Sequence, residues 1–361
     1  MITLAKTGEP LEGAAFDAPC HRIPAMAVTP TGRLIVAWDV RADWRDLPGP
    51  FDLVYRTSDD NGTTWSDVRP LRQRTDAGGF GDASFIVAPD GTVLCWYVGS
   101  TGRSFFTADA GPDGEGLTLW LATSVDDGDT WSHRDLTADL KPDDITGMFA
   151  SSGNGATLST GRLVQPFVLR TEAEEHYAAM GLSDDGGTTW QLGERIGPDC
   201  DENKVLERAD GRVLLHARAR PRRRWALSDD GGVSFSAPLP HEGLIDPACN
   251  GGLARWGDDI VSTLLDDPRE RRRLTLRVSR DGGETWGQPV LIDKGAAAYS
   301  VAMELADGRL GVVWEAGDYA ALQFVSIGRD EVGLDGGAVT FVPYDSAGDS
   351  AAPPEVAPDG S

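Results

Sequence analysis

The sequence predicts an all-β fold, a six-bladed β-propeller with four-stranded antiparallel blades, and three observations carry that prediction. The pattern Ser-x-Asp-x-Gly-x-Thr-Trp runs through the chain at Ser58–Trp65, Ser124–Trp131, Ser183–Trp190 and Ser279–Trp286, with a degraded copy at Ser228–Phe235. Successive copies start 45 to 66 residues apart, close to the length of a unit of about four strands. The 361 residues also include 44 glycines and 11 tryptophans, and no stretch has the apolar period of an amphipathic helix of usual length.

Each copy follows a run with strand character, at 53–55, 117–122, 177–182, 225–227 and 274–278. An Asp/Gly cluster after such a run is a tight hairpin turn. Glycine supplies the positive φ, and the aspartate can accept backbone N–H groups across the turn. The closing Trp then opens the return strand, where its ring can pack between neighbouring sheets. Local turn chemistry accounts for all five copies, so we assign them structure and not catalysis. Further strands are expected at 33–40, 84–98 around Asp90-Gly91, 163–169, 213–218 and 260–265. The C-terminal strands, 300–314 around Asp307-Gly308, 322–327 and 339–343, carry no copy. Closed by the N-terminal segment, they form the sixth blade. The propeller domain is expected over residues 1–344, with a disordered Pro/Ala/Asp/Gly-rich tail over 345–361.

Composition excludes several classes of function. A formal net charge of -24, with no Lys/Arg stripe among aromatics, argues against nucleic acid as a partner. No apolar run approaches membrane-spanning length. The five histidines lack ligand spacing, so neither a metal nor a cofactor is expected. Cys20, Cys95, Cys200 and Cys249 are far apart without Cys-x-x-Cys, and we expect buried free thiols. Residues 1–6 lack a signal-peptide pattern, so a cytoplasmic monomer is expected, or a secreted protein if an export segment was trimmed.

A propeller collects ligand-binding groups from several blades at one end of its channel, so functional residues should be scattered along the chain. Arg22 in Arg22-Ile23-Pro24, Arg218 at the end of 213–218 and Arg277 in 274–278 stand at such positions. A strand arginine is more often a paired surface residue, and Arg56 stands at the same offset from its turn as Arg277 does.

Taken together, these residues resemble the bacterial exo-sialidases (neuraminidases), six-bladed retaining glycoside hydrolases that remove terminal sialic acid. The resemblance covers roughly residues 15–330. It rests on Arg22-Ile23-Pro24, Asp39 through Asp46-Leu-Pro-Gly-Pro50, the Asp82 region and Asp201-Glu202-Asn203-Lys204, and further on Arg218, Arg277, Tyr299-Ser300 and Glu315. It implies a carboxylate-binding triad of Arg22, Arg218 and Arg277, with Glu315 as partner of Arg22. Planar guanidinium forks suit a carboxylate, as that chemistry requires. It also implies Tyr299 as nucleophile, Glu202 as its base and Asp46 as general acid. A neutral phenol, unlike a carboxylate, is not repelled by a carbon that bears a carboxylate. Arg41 and Asp82 correspond to residues that contact the sugar's 4-hydroxyl. Val98 and Phe105 correspond to the apolar pocket for the N-acetyl methyl.

The resemblance departs at His21, where the family usually has Tyr, at Ala83 in place of Pro, at Val40 in place of Gly, and at Phe235. These departures concern the walls of the sugar site. The expected function is therefore an exo-α-sialidase. The alternatives are a same-mechanism hydrolase of deaminated neuraminic acid or Kdo glycosides, or a non-catalytic glycan-binding propeller.

Overall fold

The computed structural model describes residues 1–11, 16, 18–76 and 78–347, and it folds as six small antiparallel sheets arranged in a ring. The first blade runs Cys20–Val28, Leu34–Arg41, Phe51–Ser58 and Arg69–Arg72, each strand paired with the next. The second opens with Phe80–Val87 and the third with Ile145–Ala150. The fourth opens with Asn203–Glu207, the fifth with Leu253–Trp256 and the sixth with Ala297–Glu304. The fourth strand of the sixth blade is Ile2–Lys6, paired antiparallel with Ala321–Ile327, so the N-terminal segment closes the ring as expected. Two blades gain a short extra strand. Gly153–Asn154 adds in parallel to Phe80–Val87, and Ala156–Thr157 pairs with Leu163–Thr171.

The repeated pattern is a turn in all five places. Ser58 Oγ accepts the N–H of Gly62 at 2.9 Å, and the Asp60 carboxylate takes the N–H and hydroxyl of Thr64 at 2.8 and 2.6 Å. The Trp65 indole N–H then closes on the Gly62 carbonyl at 3.0 Å. The serine and aspartate bonds recur at Ser124, Ser183, Ser228 and Ser279. Gly62 is required by its φ of +85°, and a Cβ there would strike the ring of Phe324.

The core lies between blades, not within any one of them. Trp65 meets Phe324 across the joint of the first and sixth blades at 5.2 Å, and Trp96 meets Trp190 across the second and third at 5.0 Å. Trp38, Trp96, Trp256 and Trp314 are fully buried, and truncating any one would cost about 3–5 kcal/mol. All four cysteines are free and buried.

Two expectations fail here. Residues 339–343 form no strand. They run irregularly to one isolated bridge between Asp293 and Tyr344, because the sixth sheet already has its outer strand from the N-terminus. Packing also continues past residue 344, since Ser346 is buried and donates from Oγ to Asp293 at 2.7 Å. The rest of the tail, 348–361, lies outside the described residues.

Candidate active site

Three inner strands lose their regular register at the same end of the ring, between Arg22 and Ala25, Gly81 and Ser84, and Ala297 and Ser300. Such irregularities turn side chains out of the alternating pattern of a strand. Ile23 and Asp82 sit at φ of +59° and +57°, a region that costs non-glycine residues about 1–3 kcal/mol. Glu315, fully buried, holds two of the kinked strands together. It accepts Arg22 Nε at 2.8 Å, the Ile23 N–H at 2.8 Å and the Tyr299 N–H at 3.2 Å. Ile23, Asp82 and Tyr299 all line one cavity of about 230 Å³.

At the cavity floor the Tyr299 hydroxyl donates to Glu202 Oε2. Arg218 Nη1 lies 2.7 Å from the same phenol oxygen and in contact with Glu202 Oε2, while its Nη2 donates to Asp201 at 2.9 Å. Burial pushes the Tyr299 phenol well above its usual range and the Glu202 charge adds to this, against Arg218 and Arg271. The resting phenol is therefore neutral, with a carboxylate in place to take its proton. The other oxygen of Glu202 is anchored from behind by Asn250 Nδ2 at 3.3 Å. Asn250 Oδ1 in turn accepts from the buried Lys204 ammonium at 2.7 Å. Burial lowers Lys204 to about 7, although Glu202 opposes the shift.

Four guanidinium groups reach this cavity, those of Arg22, Arg41, Arg218 and Arg271. Burial opposes the charge on Arg22, but Glu315 more than offsets it and keeps the side chain cationic. Arg41 is buried between two acids and donates to Asp39 and to Asp46, each at 2.8 Å. Asp46 is 78% exposed at the rim. Its burial on one side would raise its pKa, but Arg41, Arg22 and Arg218 hold it below the ordinary carboxylate value. Asp82 behaves oppositely. Burial first and then the neighbouring Asp39 push it well above the usual range, against the pull of Arg41.

The opposite wall is apolar. Leu47, Phe51, Leu117, Phe105 and Phe149 face the cavity, and Val98 is fully buried in the cluster behind them. Phe105 and Phe149 meet edge to face at 5.0 Å.

This arrangement can be set beside known proteins. The BNR repeat-like domain family matches residues 101–312. The chain is 35% identical over 324 residues to the sialidase of Micromonospora viridifaciens, covering 83% of this chain and 50% of that one. It is 30% identical over 284 residues to an exo-alpha-sialidase of Aspergillus fumigatus, covering 72% and 68% respectively. The chain belongs to the sialidase family. Among solved structures, the Hadza microbial sialidase Hz136 superposes with a TM-score of 0.81 at 26% identity, covering 86% of this chain and 66% of that one. The chain thus spans half the length of its Micromonospora relative.

Arg22, Arg41, Asp46, Asp82, Phe105, Glu202, Arg218 and Tyr299 lie around one cavity, and Glu315 lies directly behind Arg22. Arg277 does not. It sits on the third strand of the fifth blade, two strand spacings or about 10 Å out from the inner strand. There it pairs with Asp266 at 3.2 Å and with the Gly287 carbonyl at 3.0 Å. Arg271, on the loop leading into that strand, reaches the cavity instead, with its guanidinium 5.5 Å from the Tyr299 ring centre. Arg271, and not Arg277, therefore stands with Arg22, Arg41 and Arg218 at the cavity. Nothing local in the run Arg269-Glu-Arg-Arg-Arg273 selects it.

Val98 supports the apolar wall without facing the cavity. Arg223 is buried and bound to Asp246 at 2.9 Å. His21 does not line the cavity, and its Nδ1 accepts the Trp38 indole N–H at 3.0 Å. Sequence reasoning did not single out His176, Ser104 or Phe106, which also line the cavity.

Proposed function

We propose that this protein is an exo-α-sialidase that hydrolyses terminal sialic acid with retention through a Tyr299-glycosyl intermediate. The observation that carries the reading is the Tyr299–Glu202 hydrogen bond in a cavity that three arginines, Arg22, Arg218 and Arg271, also line. Guanidinium groups are the strongest protein partners for a carboxylate, and a sialoside carries one on its anomeric carbon. As Glu202 takes the phenol proton, the Tyr299 oxygen attacks the anomeric carbon and the glycosidic bond breaks. Asp46 protonates the departing oxygen. In the second step Asp46 takes a proton from water, which displaces Tyr299, and Glu202 returns the phenol proton. Two displacements at one carbon give net retention.

The field of Arg41, Arg22 and Arg218 favours ionised Asp46, yet it must enter the first step protonated. Docking the substrate carboxylate on the arginines cancels part of the positive field on Asp46 and excludes water from it. Both changes raise its pKa toward that of a working acid. The cavity of about 230 Å³ suits a single terminal sugar, and the Phe105–Phe149–Leu117 wall favours an N-acetyl methyl over the hydroxyl of a deaminated acid.

Tyr299→Phe tests the reading. Turnover of a fluorogenic sialoside should fall by roughly 10³-fold or more with the fold unchanged, and near-parental turnover would remove the nucleophile. A side-by-side panel of sialic acid, deaminated and Kdo glycosides assigns the acid, and preference for either of the last two would overturn the N-acetyl assignment.

A further inference from the structure

The turn between the second and third strands of the sixth blade, Gly317-Asp318-Tyr319-Ala320, closes with the Ala320 N–H on the Gly317 carbonyl at 3.0 Å. Both central residues are left-handed, Asp318 at φ +49° and Tyr319 at +65°. Hairpin turns with two positive φ values strongly favour glycine, above all at the second central position, and a bulky aromatic there is a local conflict. A residue that local physics disfavours points to a requirement elsewhere in the structure.

Tyr319 makes three contacts that a glycine would lack. Its ring lies under Arg22, with 4.4 Å from the guanidinium carbon to the ring centre. Its hydroxyl accepts from Arg271 Nη1 at 3.0 Å. Its ring also packs on Trp44 at 5.2 Å, and Trp44 stands two residues before Asp46 on the same loop. The turn itself is fastened from outside, since Thr7 donates its hydroxyl to the Tyr319 carbonyl at 2.8 Å. Tyr319 does not line the cavity, so it acts through its neighbours.

We infer that Tyr319 is a positioning residue that sets the separation of Arg22 and Arg271 and fastens the Asp46 loop to them through Trp44. The inference rests on the sialidase reading above. It assigns to one strained side chain the task of holding two substrate-carboxylate arginines and the general-acid loop in register. A face-on aromatic and a phenol oxygen are suited to this, because they attract guanidinium groups without neutralising them.

The test uses two variants of the full chain, Tyr319→Gly and Tyr319→Phe, assayed on a fluorogenic sialoside with unfolding temperature measured in parallel. Glycine relieves the left-handed strain, so the unfolding temperature should hold or rise, while kcat/KM falls at least about tenfold, equal to about 1.4 kcal/mol. Phenylalanine keeps the ring under Arg22 and against Trp44 and loses only the Arg271 contact. It should therefore recover part of kcat/KM and show its remaining defect in KM. Parental kcat/KM in Tyr319→Gly would overturn the inference, as would a fall in stability that matches the fall in activity. An inactive parent would overturn the sialidase reading along with it, whereas an active parent with an active glycine variant overturns this inference alone.

Discussion

Replacing Arg271 with alanine tests the correction that moved the third arginine of the site by six residues. The side chain lines the cavity and lies 5.5 Å from the Tyr299 ring. Its removal deletes a cation that would hold the substrate carboxylate and leaves the Tyr319 hydroxyl without that donor. Hydrogen bonds to charged groups contribute about 1.5–3 kcal/mol, so one lost guanidinium–carboxylate contact should lower kcat/KM by roughly 10- to 100-fold. Because the carboxylate is held in both ground and transition states, KM should rise as well as kcat fall. The matched control is Arg277→Ala. It breaks a partly buried pair with Asp266 at 3.2 Å, where the two side chains are 14% and 17% exposed. That change should cost stability and leave kcat/KM within about twofold of the parent. Steady-state kinetics on a fluorogenic sialoside, with urea unfolding of both variants, separates the two effects. Loss of activity in Arg277→Ala together with retained activity in Arg271→Ala would refute the placement.

Two further outcomes follow from groups behind the cavity. Asn250→Ala frees Glu202 Oε1 and leaves Lys204 with one partner fewer, so kcat should drop about tenfold with KM little changed. Unaltered kcat would show that Glu202 needs no support from that side. The second outcome concerns acid stability. Burial, aided by Arg56, lowers His21 from 6.5 to about 4. Between those values the unfolded chain binds a proton that the folded chain refuses, so stability is intact above pH 6.5 and falls as pH drops toward 4. The loss is about 3 kcal/mol from this residue. In His21→Gln the fall in unfolding free energy between pH 7 and 4.5 should be correspondingly shallower, and an unchanged slope would remove His21 as a cause.

The sequence was most legible where local chemistry sufficed. Five turns could be placed because Ser, Asp and Gly satisfy one another's bonds within eight residues in every copy. The sixth blade could be inferred only by elimination, since its hairpin closes on Asp318-Tyr319, a turn with tyrosine at the position where glycine is usual. Arg22, Glu202 and Tyr299 could be placed because they lie on or beside inner strands, which the turns locate. Arg277 fell into the opposite case. Its strand was right, but a third strand lies too far from the channel, and the cavity takes its arginine from a loop whose path no local pattern records. Residues 339–343 failed for a similar reason. They have strand composition, but their edge of the sheet is already occupied by residues more than 300 positions earlier. Tyr319 and Asn250 were invisible because their importance lies wholly in partners distant in sequence.

Glu315 bonds to Arg22 and the Ile23 N–H from the far end of the chain, and the sixth sheet is completed by Ile2–Lys6. The binding pocket therefore has no partial existence during synthesis. Until the hairpin 310–327 has emerged and captured Ile2–Lys6, Arg22 lacks its Glu315 counter-ion and the Tyr299 strand lacks its neighbour. Ile2–Lys6 must meanwhile wait unpaired, an edge that other chains could join. Catalytic competence should thus appear in one step, at ring closure. Activity in a refolding assay would then time the final joining of the ends and not the folding of individual blades.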